Sequence, residues 1–240
     1  MNLAKKVILS LITSSIISSA YASESDTIKL SGSAKLTQQQ FINLNVSGGK
    51  LEAESISSSG LIKVSGSAQI NNSHLHDLRA SGSVSLDHSQ INGNINTSGS
   101  LKISQSKLSG GELANSGSIN SDNSTYLSPI KLSGKLSSEL DQFDAPIPGS
   151  GSIYAKNSRF RRVINLSSSK SSWTNSSIES DIFIKSDNEL FSSNTPTLTF
   201  NDTQVHGNIS FTQAKGLVIL NGNSKIMGKV LNAEIKQAQN

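Results

Sequence analysis

The stretch Ser81-Gly82-Ser83-Val84-Ser85-Leu86-Asp87-His88-Ser89-Gln90-Ile91-Asn92-Gly93-Asn94-Ile95-Asn96-Thr97 is followed at once by Ser98-Gly99-Ser100 and a second passage of the same kind. Val84 and Leu86 alternate with polar residues, which is the mark of a strand with one buried face. Ser, Gly and Asn separate these apolar pairs from Ile91 and Ile95, and such clusters mark tight turns. The unit is a short loop of chain made of brief strands and corners.

That unit recurs. Ser-Gly stands at Ser31-Gly32, Ser47-Gly48, Ser65-Gly66, Ser81-Gly82, Ser98-Gly99, Ser116-Gly117, Ser133-Gly134 and Ser150-Gly151. Successive glycine numbers differ by 16, 18, 16, 17, 18, 17 and 17. Four residues before each later glycine comes a branched aliphatic: Leu44, Ile62, Leu78, Ile95, Leu113, Ile130 or Ile147. Nine residues after come Phe41, Leu75, Ile91, Leu108, Tyr126, Phe143 and Phe160, with Ile56 displaced by one because Gly49 adds a residue. Seven residues after lies a polar column of Gln39, Ser55, Ser73, Ser89, Ser106, Ser124, Asp141 and Ser158.

No helical period explains these columns. They predict an all-β, single-domain parallel β-helix, a β-solenoid with right-handed winding expected, whose equivalent residues stack about 4.8 Å apart. A lone coil cannot bury its apolar face, so neighbouring coils stabilise one another. The glycine column is expected to supply the backbone geometry of a sharp corner. Regular coils are expected over about residues 28–165, degenerate coils over 166–231 and a Ser/Asp/Asn-rich loop at about 185–196. Thr197–Ile209 overlays Ser83–Ile95 position for position. The total is about 11 coils, with a polar, frayed tail from Lys236.

Residues 1–22 have the parts of a cleaved secretory signal: Lys5 and Lys6, an apolar run from Val7 to Ile17, then Ala20-Tyr21-Ala22. The run is too short and Ser-rich for a comfortable membrane span. Residues 23–240 are then the mature solenoid, exported to the periplasm or the cell surface and carrying no transmembrane segment. The chain has no cysteine, so disulfides and thiolate metal sites are excluded. The 21 Lys+Arg fall to 19 without Lys5 and Lys6, against 17 Asp+Glu, which makes no electrostatic case for nucleic acid.

The Ser-Gly-Ser corners, as in Leu30-Ser31-Gly32-Ser33, Val64-Ser65-Gly66-Ser67, Ala80-Ser81-Gly82-Ser83 and Thr97-Ser98-Gly99-Ser100, resemble the head-GIN family of auto-transporter adhesin domains. Ala34, Ala68, Val84 and Leu101 stand where that family often has a second glycine, and its regular Asp is missing. The short coils also resemble the bactofilins, polymer-forming β-helices that are typically cytoplasmic. Both resemblances imply a structural or adhesive role with no catalytic residue and no cofactor.

Four groups of residues stand out as candidate sites. Lys156, Arg159, Arg161 and Arg162, with Phe160 inward among them, form the dense basic run and the preferred contact for a polyanion or glycan. Trp173 is either a sugar-stacking platform or a core filler. Asp122 and Glu139 fall on adjacent coils with Lys156 one coil on and Asp141 and Asp144 nearby. They make a surface charge ladder or, less favoured, a glycosidase-type pair or a Ca²⁺ site. His74, His76, His88 and His206 read as solvated residues, since a zinc site needs three or four converging ligands. An ice-binding reading of the outward Ser and Thr arrays is opposed by the Lys, Asp and Asn among them. The expected partners are a glycan or cell-surface ligand and, end to end, a second copy of the chain.

Overall fold

Each repeat folds into three short strands, as in Asp77–Ala80, Val84–Asp87 and Gln90–Ile91, before the next coil opens with Ile95–Thr97. The structure, a computed structural model, describes residues 16–17, 27–168, 170–185 and 195–237. The rest of the signal-type segment and residues 186–194 of the expected loop lie outside the described residues. Every ladder is parallel: Leu78 pairs with Ile95, Val84 with Leu101 and Ile91 with Leu108, one coil apart.

The strands form three sheets. Sheet 1 holds 12 strands, from Thr27–Ser31 to Val230–Leu231. Sheet 2 holds 13, from Ala34–Thr37 to Ala233–Gln237, counting Ile16–Ile17 beside Lys35–Leu36. Sheet 3 holds 11 two-residue strands, from Gln40–Phe41 to Lys225–Ile226. No helix occurs among the described residues. The chain is a β-solenoid of about 12 turns, one more than the repeat count suggests. Ala233–Gln237 pairs with Gly216–Leu220, so Lys236 and Gln237 belong to a strand and not to a frayed tail. Ile235 sits in register with the buried Val218 but is 50% exposed, because Ala233–Gln237 has a partner strand on one side only among the described residues.

The glycine corner works differently from expectation. From Gly66 onward the column glycines are not left-handed; positive φ in this column is confined to Gly32 and Gly48. They are required because coils approach closely: a Cβ on Gly134 would lie 1.9 Å from the carbonyl oxygen of Gly117, and one on Gly151 1.9 Å from that of Gly134. The left-handed backbone lies instead at the next corner, between sheets 2 and 3. There non-glycine residues such as Asn72 (φ 50), His88 (φ 46), Asn123 (φ 48) and Leu140 (φ 57) adopt it. Asn and Asp, as at Asn72, Asn123, Asn157, Asn175 and Asp202, tolerate that region better than most side chains.

Directly after each left-handed residue comes the buried serine column, and it is a continuous ladder. Ser73 N–H donates to Ser89 Oγ (3.2 Å), Ser89 N–H to Ser106 Oγ (3.0 Å) and Ser106 N–H to Ser124 Oγ (3.1 Å). Each hydroxyl donates in turn to the carbonyl two residues back, as Ser89 does to Asp87 (2.8 Å). One small side chain thus satisfies two backbone groups that the corner would otherwise bury unpaired. The second coil departs from its sequence assignment. Ser55 takes the left-handed position (φ 55), Ile56 the ladder position, donating its N–H to Ser73 Oγ at 3.1 Å, and Ser58 the apolar column. Gly49 shifts this coil by one residue.

Candidate anion-binding face

The basic run proves largely neutralised. Phe160 is buried, and Arg159 and Arg161 flank it on the outside. Arg159 pairs with Glu179. Arg161 Nη1 reaches both carboxylate oxygens of Asp144, at 2.9 and 3.0 Å, and its Nε lies 3.9 Å from Glu179. Lys156 Nζ is 2.8 Å from Glu139 Oε1, whose hydrogen bond and charge hold the ammonium above its usual range. Arg162 alone of the four has no ion pair among the described residues. Cations already bound to carboxylates have little charge left for a polyanion.

Trp173 is a core residue and not a platform. It is fully buried, stacked on Phe200 with centroids 5.2 Å apart and edge-on to Phe160 at 6.4 Å. Its indole N–H has no hydrogen-bond partner. No ligand reaches its face from outside.

The acidic residues do not converge. Asp122 and Glu139 are register partners on the outer surface of sheet 2, with Lys156 next in line. Asp141 points inward and is 2% exposed, taking the place of a ladder serine. Its Oδ1 accepts Ser124 N–H at 2.7 Å and its Oδ2 accepts the Ser138 hydroxyl at 2.7 Å. Burial pushes its carboxyl up to about 6. Asp144 faces Arg161. Of the histidines, His74, His76 and His206 are exposed, and His88 Nδ1 lies 2.9 Å from Asp87 Oδ2. No group of three His, Cys, Asp or Glu suited to a metal occurs among the described residues.

Sheet 1 brings together a set of cations that the sequence reading passed over. Three residues before the corner glycines stand Lys29, Asn45, Lys63, Arg79, Asn96, Ala114 and Lys131. They form one outward column, with Lys63 paired in register to Arg79, Arg79 to Asn96, Asn96 to Ala114 and Ala114 to Lys131. The short Asn96 and Ala114 between longer neighbours leave a shallow groove of about 580 Å³. Lys63, Arg79 and Lys131 are exposed and enter no ion pair among the described residues. The one carboxylate in the strands of sheet 1 is Asp77, and its Oδ1 is occupied by the Asn94 backbone N–H at 2.6 Å.

The groove is built on a fixed floor. The serines along its edge donate to the coil below: Ser81 Oγ to Ser65 O at 2.9 Å, Ser98 Oγ to Ser81 O at 3.1 Å. Their oxygen lone pairs remain outward as acceptors. Behind them the buried Asn115 donates to Thr97 Oγ1 at 2.7 Å and to Gly99 O at 3.0 Å. Reading the position three before each glycine would have revealed the column; what hid it was that its members lie 16 to 18 residues apart.

No protein-family model matches this chain, and no curated protein or solved structure matches it. Among the described residues no helix is long and apolar enough to cross a membrane.

Proposed function

We propose that this chain is an exported, non-enzymatic β-solenoid that serves as an adhesin-like or scaffold module of the bacterial envelope, holding a surface ligand along its rigid rod. The observation that carries this is the sheet 1 groove, where Lys63, Arg79 and Lys131 stand in one exposed column without ion pairs among the described residues, over a floor fixed by hydrogen bonds to the backbone. The resemblance of the Ser-Gly-Ser corners to adhesin domains and the signal-type N-terminus point the same way. A carbohydrate-active enzyme is the weaker reading. Glu139 is held by Lys156, Asp144 by Arg161, and Asp141 lies inside the coil, so the carboxylates share no cleft. Incubating the purified chain with a panel of envelope glycans tests both: retention of a glycan without cleavage is expected, and hydrolysis of any of them overturns the non-enzymatic assignment.

End-to-end self-association is a second reading, favoured by the C-terminal coil. Met227, Leu231 and Ile235 are 60%, 53% and 50% exposed there, beside strands paired on one side only among the described residues. Open edges template further strands. Light scattering over a wide concentration range is expected to show growth that Ile235→Lys abolishes; a strict monomer sinks this reading.

A further inference from the structure

We infer that the sheet 1 groove binds a linear acidic polysaccharide lying parallel to the solenoid axis. The inference rests on the ligand-holding function proposed above and names the ligand's chemical class.

Three features of the face select this class. The first is charge: Lys63, Arg79 and Lys131 lie in one straight column, enter no ion pair among the described residues and outnumber Asp77, the one carboxylate in the strands of that sheet. A column of cations along an axis fits a chain of anions better than a compact one. The second is spacing. From Lys63 to Lys131 the column advances four coils, about 19 Å at one strand spacing of about 4.8 Å per coil. A pyranose ring in an extended chain is about as long as that spacing, so successive rings can fall into step with successive coils. Carboxylates on such a chain meet Lys63 and Arg79 at one end and Lys131 at the other.

The third feature is the uncharged part of the groove. The edge serines have spent their hydroxyl protons on the coil below and offer lone pairs outward, and Asn96 adds a donor and an acceptor between the cations. Lone pairs suit a partner rich in hydroxyl donors, which an acidic sugar is and a phosphodiester backbone is not. Nucleic acid also calls for a row of aromatic platforms, and this column has a single aromatic, Phe183, 38% exposed and three coils beyond Lys131.

The test uses the purified chain with uronic-acid oligosaccharides of increasing length, a neutral glucan, a single-stranded oligonucleotide and vesicles of phosphatidylglycerol. Uronate affinity is expected to rise with length up to about four or five rings and then level, and to fall steeply with salt. The triple variant Lys63→Gln, Arg79→Gln, Lys131→Gln is expected to bind at least tenfold more weakly while melting at the wild-type temperature. Lys156→Gln is expected to leave binding unchanged. Undiminished uronate binding by the triple variant overturns the inference, as does tighter binding of the oligonucleotide or the vesicles. Equal binding of the neutral glucan also overturns it but leaves the ligand-holding rod standing. Failure to bind any glycan removes both.

Discussion

From Ile70 to Leu108 the columns on either side of the serine corner are aliphatic throughout: Ile70, Leu86 and Ile103 on sheet 2 accompany Leu75, Ile91 and Leu108 on sheet 3. From Ser121 onward the same positions are filled unequally. Tyr126, Phe143 and Phe160 stack on sheet 3 at centroid distances of 4.8 and 4.6 Å, while sheet 2 shrinks to Ser121, Ser138 and Ala155. One coil later the bulk changes sides, with Trp173 and Phe200 on sheet 2 beside Ile178 and Val205 on sheet 3. A coil of constant cross-section holds a nearly constant volume, so a large side chain on one wall demands a small one on the other. The aromatic half admits polar groups that the aliphatic half does not. The Tyr126 hydroxyl hydrogen-bonds Ser121, and Asp141 replaces a ladder serine above it.

The largest effect is expected where the two halves do not differ, at the glycine corner. Gly134→Ala places a Cβ 1.9 Å from the Gly117 carbonyl oxygen, backbone against backbone, and is expected to destabilise by about 4 kcal/mol. Denaturant unfolding measures it, and a loss below about 1 kcal/mol would show that the coils can slide apart there.

The volume exchange is tested next by a double-mutant cycle. Phe143→Ala should cost about 3 kcal/mol through the cavity it leaves. Ser138→Leu alone should cost about 1–3 kcal/mol through overpacking. Combined, they should cost less than their sum by about 1–2 kcal/mol, because the leucine refills the space. The matched pair Leu86→Ala and Ile91→Ala should show no such relief. Strict additivity at Ser138 and Phe143 would break the volume argument.

The polar side of the aromatic half has a pH signature. Asp141 has an ordinary value of 3.8, raised to about 6 in the folded chain. A raised folded value means the proton favours folding: the stabilisation is complete below about pH 4 and is lost as pH rises through 6. Two pKa units correspond to about 3 kcal/mol. Asp141→Asn keeps an acceptor for Ser124 N–H and should raise the melting temperature at pH 7.5, with the advantage shrinking toward pH 4. Equal pH dependence in both proteins would show that Asp141 stays ionised at no cost.

The smallest effect concerns the left-handed corner. Leu140, 55% exposed at φ 57, is the least suited side chain in that series. Leu140→Gly should stabilise by about 1 kcal/mol, while Asn123→Gly, from a residue that already tolerates the region, should change stability little. Thermal melts of the two side by side decide it.

Most of the fold was legible because a solenoid converts sequence period directly into spatial register. The Ser-Gly spacing and the residues four before and nine after each glycine identified the coils, and even Thr197–Asn201 and Gln204–Val205 fall where the overlay on Ser83–Ile95 put them. The second coil was misassigned because Gly49 moves every later residue of that coil by one, and composition alone does not tell which corner absorbs the insertion. The last strand escaped because, among the described residues, Ala233–Gln237 has a neighbour on one side only and so carries a weak burial pattern.

The site was less legible. Sequence distance and spatial distance diverge by design here, since residues one coil apart are 16 to 18 positions apart in the regular coils but about 4.8 Å apart in space. Lys156 to Arg162 looked like a cationic patch because its members are adjacent in sequence; stacking brought Glu139, Asp144 and Glu179 against them. Lys63, Arg79 and Lys131 looked isolated, and stacking lined them up. The sequence by itself determined the coil, its corners and which residues face inward, because those follow from local alternation and period. Only the tertiary structure decided which charges meet, why each glycine is required and on which wall the aromatic bulk sits. Those depend on contacts between coils, and no single repeat contains them.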